Sequence, residues 1–269
     1  MPRLTATLVA IALLGAAAAR ADDAPAPLTG NAAVVSDYVF RGLSQTWGKP
    51  ALQGGADYTA ANGFAAGFWA SRTGQRSFPN AAMELDLYAS YGRNFDPDWS
   101  WRAGLYGYVY PGSNLDRARP PLPARSFNTL EANLALGWKW LTLKLNQSLT
   151  DYFAADVEQG YRGNTRGTRY LQLDAAVPLG SAWSLALHAG HTWYATHLAT
   201  PLPSGARNPD YSDYGATLKY QLDVHWSLSA GVTRASNAAF YRHVTSLLNP
   251  DDTGDIGGTR GFVMVQATF

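Results

Sequence analysis

Apolar and polar residues alternate along most of this chain with the period of two that is typical of β-strands. Residues 83–91 show the pattern most clearly, because their odd positions are apolar and their even positions are mostly polar. Such alternation indicates a strand whose two faces lie in different environments. It recurs in about 12 segments and predicts an all-β fold, an antiparallel up-and-down β-barrel. The predicted strands are residues 30–41, 51–59, 63–71, 83–93, 99–110, 128–138, 141–150, 168–177, 183–194, 211–221, 226–234 and 259–269.

The connections between these strands differ in length on the two sides of the predicted barrel. Even-numbered strands are followed by short turns, whereas most odd-numbered strands are followed by long loops rich in Pro, Gly, Asn and Arg. The long loops are residues 111–126, 151–167, 195–210 and 235–258. Outer-membrane barrels have short periplasmic turns and longer external loops. The lengths therefore predict a transmembrane barrel and also which end faces the periplasm.

Tryptophan marks four of the turns, with a spacing of about 42 residues between successive turns. Indole rings favour the boundary between water and lipid, so we expect an aromatic girdle there. At the turn that contains both Trp138 and Trp140, strand parity places Trp138 on the lipid face and leaves the direction of Trp140 open. The predicted girdle residues are Tyr38 and Phe40 at the outer interface, Trp99, Trp138, Trp183 and Trp226 at the inner interface, and Phe269.

A water-soluble β-sandwich or lipocalin-like barrel would show the same alternation with its apolar face turned inward. Three features favour a lipid environment. The strands have about 9–11 residues, which suits a tilted membrane crossing. Tryptophan clusters at the turns, and Phe269 continues an apolar face that carries Val263, Val265 and Ala267.

The start of the chain has the pattern of an export signal. Arg3 precedes an apolar stretch over residues 4–19, and Ala19-Arg20-Ala21 precedes two aspartates. This pattern predicts a signal peptide over residues 1–21, cleaved after Ala21, then a short periplasmic segment over residues 22–29 and the barrel over residues 30–269. An anchoring helix, the alternative, needs about 20 unbroken apolar residues. The expected location is the outer membrane of a Gram-negative cell, reached through the periplasm.

Composition excludes several classes of function. The chain has 21 Lys and Arg residues against 20 Asp and Glu residues, so its charge is nearly balanced and no nucleic-acid partner is expected. It has no cysteine, so it can form neither disulfides nor thiolate metal sites. We expect no cofactor and no metal.

The polar parity of each strand should face the lumen of a membrane barrel. The predicted pore-lining residues are Asp37, Arg41, Gln53, Asp57, Glu84, Asp86, Arg102, Tyr106, Tyr108, Glu131, Lys144, Asp174, Asp213 and Lys219. Acids outnumber bases in this set, which favours a mild preference for cations. A barrel of about 12 strands lies between side-chain-filled and open barrels, so a narrow pore is expected. An interior closed by ion pairs and tyrosines is the alternative.

Candidate catalytic groups are sparse, and we predict that the protein is not an enzyme. Outer-membrane lipid hydrolases need a Ser and a His at the outer lipid boundary. His243 with Ser246, in the last long loop, is the sole arrangement that could serve. Residues 249–255 form an acidic loop that could bind a divalent cation weakly, and a solvated acidic loop is the favoured interpretation.

The first strand and its loop carry a distinctive string of residues. Tyr38-Val39-Phe40-Arg41-Gly42 is followed by Gln45 and then by Pro50-Ala51-Leu52-Gln53-Gly54. This string resembles the opening signature of the TorF family, which groups porins of proteobacterial outer membranes. The resemblance is specific over residues 34–58 and weaker beyond. It implies an outer-membrane barrel with a transport role, and it implies no substrate and no catalytic residues.

The sequence thus predicts a porin that gives small polar solutes passive or facilitated passage through a narrow lumen. A non-conducting structural or adhesive barrel that binds an external partner through its long loops is the alternative, and a lipid hydrolase is a third possibility. The expected partners are outer-membrane lipid, small polar solutes and the barrel-assembly machinery, which would recognise the C-terminal strand ending at Phe269.

Overall fold

Residues 27–269, which the computed structural model describes, form a closed antiparallel barrel of twelve strands. The predicted signal peptide over residues 1–21 lies outside the described residues, as do residues 22–26 of the predicted periplasmic segment. The strands are β1 (Leu28–Val35), β2 (Ala51–Thr59), β3 (Phe64–Arg72), β4 (Met83–Asn94), β5 (Trp99–Val109), β6 (Thr129–Trp138), β7 (Leu141–Ser148), β8 (Arg169–Pro178), β9 (Trp183–Trp193), β10 (Tyr211–Gln221), β11 (Trp226–Ala235) and β12 (Arg260–Thr268).

Each strand pairs with its sequence neighbours, and the first and last strands close the ring. β1 pairs with β2 from Leu28 opposite Tyr58 to Val35 opposite Ala51, and with β12 from Asn31 opposite Thr268 to Val35 opposite Met264. Closure satisfies the backbone groups of every strand edge, which is the condition for crossing lipid with strands. The predicted number of strands and their antiparallel order are confirmed.

Aspartate side chains shape two of the short turns. The Asp223 carboxylate accepts the backbone N–H groups of His225 and Trp226, both at 2.8 Å, and Asp96 accepts those of Asp98 and Trp99. This is an Asx-type turn, and it restarts the chain on tryptophan. The N–H groups of Trp226 and His225 hold the pKa of Asp223 below its usual range. The repeated spacing from Asp to Trp in the sequence therefore has a local cause.

Long loops at the other end carry the remaining small elements. Two 3₁₀-helices cover Leu115–Arg117 and Val157–Gln159, and a short α-helix covers Ala238–Tyr241. A hairpin of Val244–Ser246 with Asn249–Gly254 follows that helix, and a second hairpin joins Val39–Phe40 to Leu43–Ser44. Among residues 27–269, no helix is long and apolar enough to cross a membrane.

The outer face of the barrel is apolar all the way round. Every one of the twelve strands exposes a large apolar side chain that is 40–67% accessible. These are Val34, Leu52, Phe68, Leu87, Leu105, Leu134, Leu143, Leu173, Leu187, Leu218, Leu228 and Val263. A continuous exposed apolar surface of this size is characteristic of contact with lipid. The soluble alternative required the opposite arrangement, with the apolar faces turned inward.

Exposed aromatic side chains lie at the turn end of this face. Trp99 and Trp138 are directly opposite each other on β5 and β6, with ring centroids 6.1 Å apart, and Trp183 lies 4.7 Å from Tyr220. Trp226 is exposed beside them, and Trp140 is also exposed. Phe269 is exposed, and its ring lies over the Cα of Gly30 on β1.

The largest difference from the predicted fold is in the first strand. β1 ends at Val35 and not at residue 41, and residues 36–50 leave the wall. The lipid-facing position predicted for Tyr38 and Phe40 is therefore wrong. Tyr38 is buried and donates a hydrogen bond to Glu84 of the inner face, and Phe40 packs edge-on against Tyr108. At the loop end Trp193 is exposed instead.

Candidate functional site

The structure places the predicted lumen residues of the strands on one common face. The pairing registers align them across the wall: Gln53 lies opposite Ser71, which lies opposite Glu84, and Tyr106 lies opposite Glu131. The same registers put Asp57, Asp86, Arg102, Tyr108, Lys144, Asp174, Asp213 and Lys219 on that inner face. Asp37 and Arg41 lie inside as well, but on the first loop and not on a strand.

This loop, residues 36–50, folds into the barrel and is called the plug below. Its hairpin turns at Arg41 and Gly42, which have φ of 48° and 76°. Positive φ at both central residues is the condition of a two-residue type I′ turn, and glycine adopts it without strain. The turn points the guanidinium of Arg41 toward the wall opposite β1.

Arg41 joins the plug to the far wall. Its Nη1 and Nη2 donate to the two oxygens of Glu131 on β6 at 2.9 and 2.7 Å, which is a bidentate pair. Nη1 also donates to Tyr152, and the guanidinium carbon lies 4.3 Å from the ring centroid of Tyr170 on β8. Burial raises the pKa of Tyr152 to about 12. The hydroxyl of Tyr152 is therefore neutral and accepts this hydrogen bond.

A second ion pair fixes the base of the plug. The Asp37 carboxylate accepts from Ser44 at 2.5 Å and from Thr46 at 2.9 Å, both within the plug, and from Arg260 of β12 at 3.0 Å. The Tyr38 hydroxyl donates to Glu84 on β4 at 3.1 Å. The plug is therefore held on several sides of the lumen by charged and polar contacts.

The tip of the plug leaves no room for a side chain at position 42. A Cβ there would lie 2.5 Å from the Cβ of Asp213 on β10 and 3.2 Å from that of Ala235 on β11. The hairpin therefore crosses the lumen, since it contacts β4, β6, β8, β10, β11 and β12 with residues from one short loop.

Next to the contact between Gly42 and Asp213, a partly buried hydrogen-bond network joins three strands. His188 on β9 contacts Asp174 of β8 through Nδ1 at 2.6 Å and Asp213 of β10 through Nε2 at 2.8 Å. The Tyr170 hydroxyl lies 2.8 Å from the same Nε2 and donates to Asp213 at 3.0 Å. The network holds the side chain of Asp213, whose Cβ lies against Gly42, so it supports the plug from the wall side.

The candidate hydrolase pair is not assembled. His243 is exposed, Ser246 is buried, and no hydrogen bond joins them in the described part of the chain. The Ser246 hydroxyl instead accepts the N–H of Leu248. In the acidic segment after it, Asp252 pairs with Arg76 at 2.7 Å. Among residues 27–269, no group of three or more His, Cys, Asp or Glu side chains is placed to hold a metal ion.

Two pockets open between the external loops. One, of about 370 Å³, is lined by residues of the loop between β9 and β10, including Tyr194, His197 and Asp210. The other, of about 330 Å³, lies between the plug and the loop after β3 and is lined by Trp47, Lys49 and Arg76 among others. Both lie at the outer end, above the contacts that hold the plug.

Quenching by brominated lipid is expected to distinguish outward from inward tryptophans. Trp226 is exposed on the outer face, whereas Trp69 is buried on the inner face of β3 against Tyr38. In vesicles that contain brominated acyl chains, Trp226→Phe should remove part of the quenchable fluorescence. The matched variant Trp69→Phe should remove fluorescence that is not quenchable. Equal quenchable losses from both variants would contradict the assignment of the outer face to lipid.

Comparison with known proteins identifies a family and a fold. The model of a family described as "bacterial protein of unknown function (Gcw_chp)" matches residues 18–269. No curated protein matches the chain in sequence. Solved structures that share its fold include a KdgM porin in complex with disordered oligogalacturonate (12% identity, TM-score 0.51) and the NanC porin (11% identity, TM-score 0.52). Each alignment covers 90% of this chain and 98% of the other.

Proposed function

The chain belongs to the Gcw_chp family of bacterial proteins of unknown function, and we propose that it is an outer-membrane porin that passes small polar solutes through a lumen narrowed by its plug. The observation that carries the proposal is that one wall combines two different faces. The outer face is apolar on all twelve strands, and the inner face carries charged and hydroxyl-bearing side chains. Such a wall is stable in lipid and tolerates polar solutes inside. The shared fold with KdgM and NanC supports the proposal.

The plug supplies the narrow point of this path. A loop that crosses the lumen leaves space for solutes at its sides alone, and here those sides carry charged groups and tyrosines. Narrow openings lined in this way select solutes by size, charge and hydrogen bonding. The residues that resemble the TorF signature, 34–58, form the end of β1, the plug and most of β2. Membership of the TorF group is part of the proposal, and the plug gives its signature a physical role.

A non-conducting barrel is the second candidate, because the Arg41–Glu131 pair joins opposite walls and both side chains are buried. Such a barrel would present its external loops to a partner. The position of Phe269 on the outer face at the end of the barrel supports assembly by the barrel-assembly machinery in either case. The two candidates differ in one measurable property, which is conductance.

Purified, refolded protein is expected to form discrete, small ion channels in planar lipid bilayers. It should also let small sugars into liposomes faster than larger ones, because the plug restricts the path. Heat-modifiable mobility on gels provides the control for folding, since a closed barrel resists unfolding without heat. Folded protein that gives no channels and no solute entry, in the wild type and in variants with a loosened plug, would contradict the porin proposal and leave the non-conducting barrel.

A further inference from the structure

The charged groups of the lumen are distributed unevenly along the barrel axis. Most carboxylates lie toward the loop end and are already bound. Glu131 is paired with Arg41, Asp37 with Arg260, and Asp174 and Asp213 both contact His188. Each of these four carboxylates thus has a basic partner within the protein, although Oδ2 of Asp213 is buried without a hydrogen-bond partner. Their charge is therefore largely compensated before any solute enters.

The remaining three carboxylates of the inner face, Asp57, Glu84 and Asp86, form no ion pair within residues 27–269. Glu84 accepts a hydrogen bond from Tyr38, and Asp57 accepts one from Tyr88 at 2.7 Å. Asp86 is next to Glu84 on the same face of β4, and its Oδ1 is buried with no hydrogen-bond partner. A buried oxygen without access to water is not available to a passing ion. Glu84 and Asp86 are the second and fourth residues of β4, at its loop end. Asp57 is third from the turn end of β2, so it is the one carboxylate of these three in the turn half of the lumen.

Three cations form a group nearer the turn end. Arg102 is the fourth residue of β5, Lys144 the fourth of β7, and Lys219 the third from the end of β10. At a rise of about 3.3 Å per residue, they lie about 7–10 Å along their strands from the turns. We call these three residues the basic ring. It lies on the periplasmic side of the plug. Arg102 and Lys144 flank Ala135 of β6, and Lys219 lies on β10.

The neighbours of the basic ring across the strands are uncharged. Arg102 lies opposite Gly92 and Ala135 and donates to the Ser90 hydroxyl at 2.9 Å. Lys219 lies opposite Ser184 and Ser229.

Lys144 lies opposite Ala135 and Gln172, and its Nζ is 4.6 Å from the ring centroid of Tyr106. Two carboxylates lie on the same part of the wall: Asp174, which is bound to His188 and Gln172, and Asp57, which accepts a hydrogen bond from Tyr88. Within residues 27–269, none of the three basic side chains forms an ion pair.

We propose that the basic ring makes the lumen selective for small anionic solutes, such as carboxylates and phosphate. The proposal rests on the porin function proposed above and names its substrate class. Fixed charges on low-dielectric walls concentrate ions of opposite sign, and rings of Arg and Lys are the side chains that anion pores use. Tyr106, which stacks on Tyr88 at 4.9 Å beside the ring, adds a hydroxyl donor to the same wall. The contacts therefore favour anions, although the count of charges predicted cations.

The test is the reversal potential of single channels under a gradient of KCl, repeated with potassium gluconate and potassium phosphate. Wild-type channels should be more permeable to chloride than to potassium and should also conduct gluconate and phosphate. The triple variant Arg102→Gln, Lys144→Gln and Lys219→Gln keeps the side-chain lengths similar and should shift the reversal potential toward potassium. Lys139→Gln is the matched control, since Lys139 is exposed in a turn and pairs with Asp98. It should leave selectivity unchanged.

The possible results separate the two proposals. Channels that prefer potassium in the wild type, or that keep their anion preference in the triple variant, would overturn the proposed anion selectivity of the basic ring. The proposed porin function would still stand. Folded protein that forms no channels, even with a loosened plug, would overturn both proposals. Heat-modifiable mobility of each variant shows that the barrel is intact, so that a loss of channels is not confused with a loss of folding.

Discussion

Replacing Arg41 with alanine is expected to raise the conductance of the barrel, because it breaks the link between the plug and the far wall. The Arg41 and Glu131 side chains are 5% and 1% accessible, and they form a bidentate pair at 2.9 and 2.7 Å. Removing one partner of a buried pair costs about 3–5 kcal/mol, because the other charge is left uncompensated. The barrel itself keeps its backbone pairing. The substitution therefore destabilises the seated position of the plug and not the barrel.

A loss of about 3 kcal/mol corresponds to a shift of roughly 100-fold in the equilibrium between the seated and the displaced plug. Single-channel recordings of Arg41→Ala should therefore show larger or longer openings than the wild type. Glu131→Gln should act in the same direction with a smaller effect, because the neutral amide still accepts a hydrogen bond. Arg125→Ala is the control, since Arg125 pairs with Asp156 and Glu158 between external loops. Conductance of Arg41→Ala equal to that of the control would contradict the role of the Arg41–Glu131 pair in holding the plug.

The wall of the barrel could be predicted from the sequence because its two faces meet different surroundings. Alternation determines which residues share a face. The face of each side chain depends on its position along its own strand and not on which strands pair. Leu134 and Glu131 are therefore assigned to opposite faces without any three-dimensional information. Turn residues such as Asp96 and Asp223 also indicate in the sequence where the strands end, since each organises its turn locally.

The plug could not be predicted from alternation, because its residues alternate as well. Residues 36–41 read as a continuation of β1, yet the hairpin lies inside a lumen where aromatic and charged side chains both find partners. One local signal was present in Arg41-Gly42, a pair ending in glycine and flanked by apolar residues, which is typical of a two-residue hairpin turn. The lipid-facing prediction for Tyr38 and Phe40 failed for this reason.

The network around His188 illustrates a second limit of prediction from the sequence. Parity places Asp174, His188 and Asp213 on the inner face, but it does not determine which of them are adjacent. That depends on the register between β8, β9 and β10, where Asp174 is opposite His188 and Gly190 is opposite Asp213. Register is set by turns and by packing over the whole ring. The same limit applies to ion pairs, so counting charges along the sequence could not identify the three lumen cations, Arg102, Lys144 and Lys219, that form no ion pair within residues 27–269.

Gly42→Ala is expected to displace the plug without removing any charged or hydrogen-bonding group. The residue has φ of 76°, where a side chain costs about 1 kcal/mol, and its Cβ would lie 2.5 Å from that of Asp213. Overpacking of this kind costs a further 1–3 kcal/mol, by a rough estimate from core substitutions. The cost is relieved when the tip of the hairpin moves away from β10. We therefore expect higher conductance and faster cleavage by trypsin after Arg41, which is buried when the plug is seated.

Gly160→Ala is the matched control for this prediction. Gly160 has φ of 85° in an external loop, and no atom lies within 4 Å of the position its Cβ would take. It therefore carries the backbone strain without the collision. If the plug occupies the lumen as described, Gly42→Ala should differ from the wild type in conductance and in the tryptic fragment that ends at Arg41, while Gly160→Ala should not. Equal behaviour of the two variants would mean that the hairpin tip does not rest against Asp213, and the narrow point of the path would then lie elsewhere along the inner face.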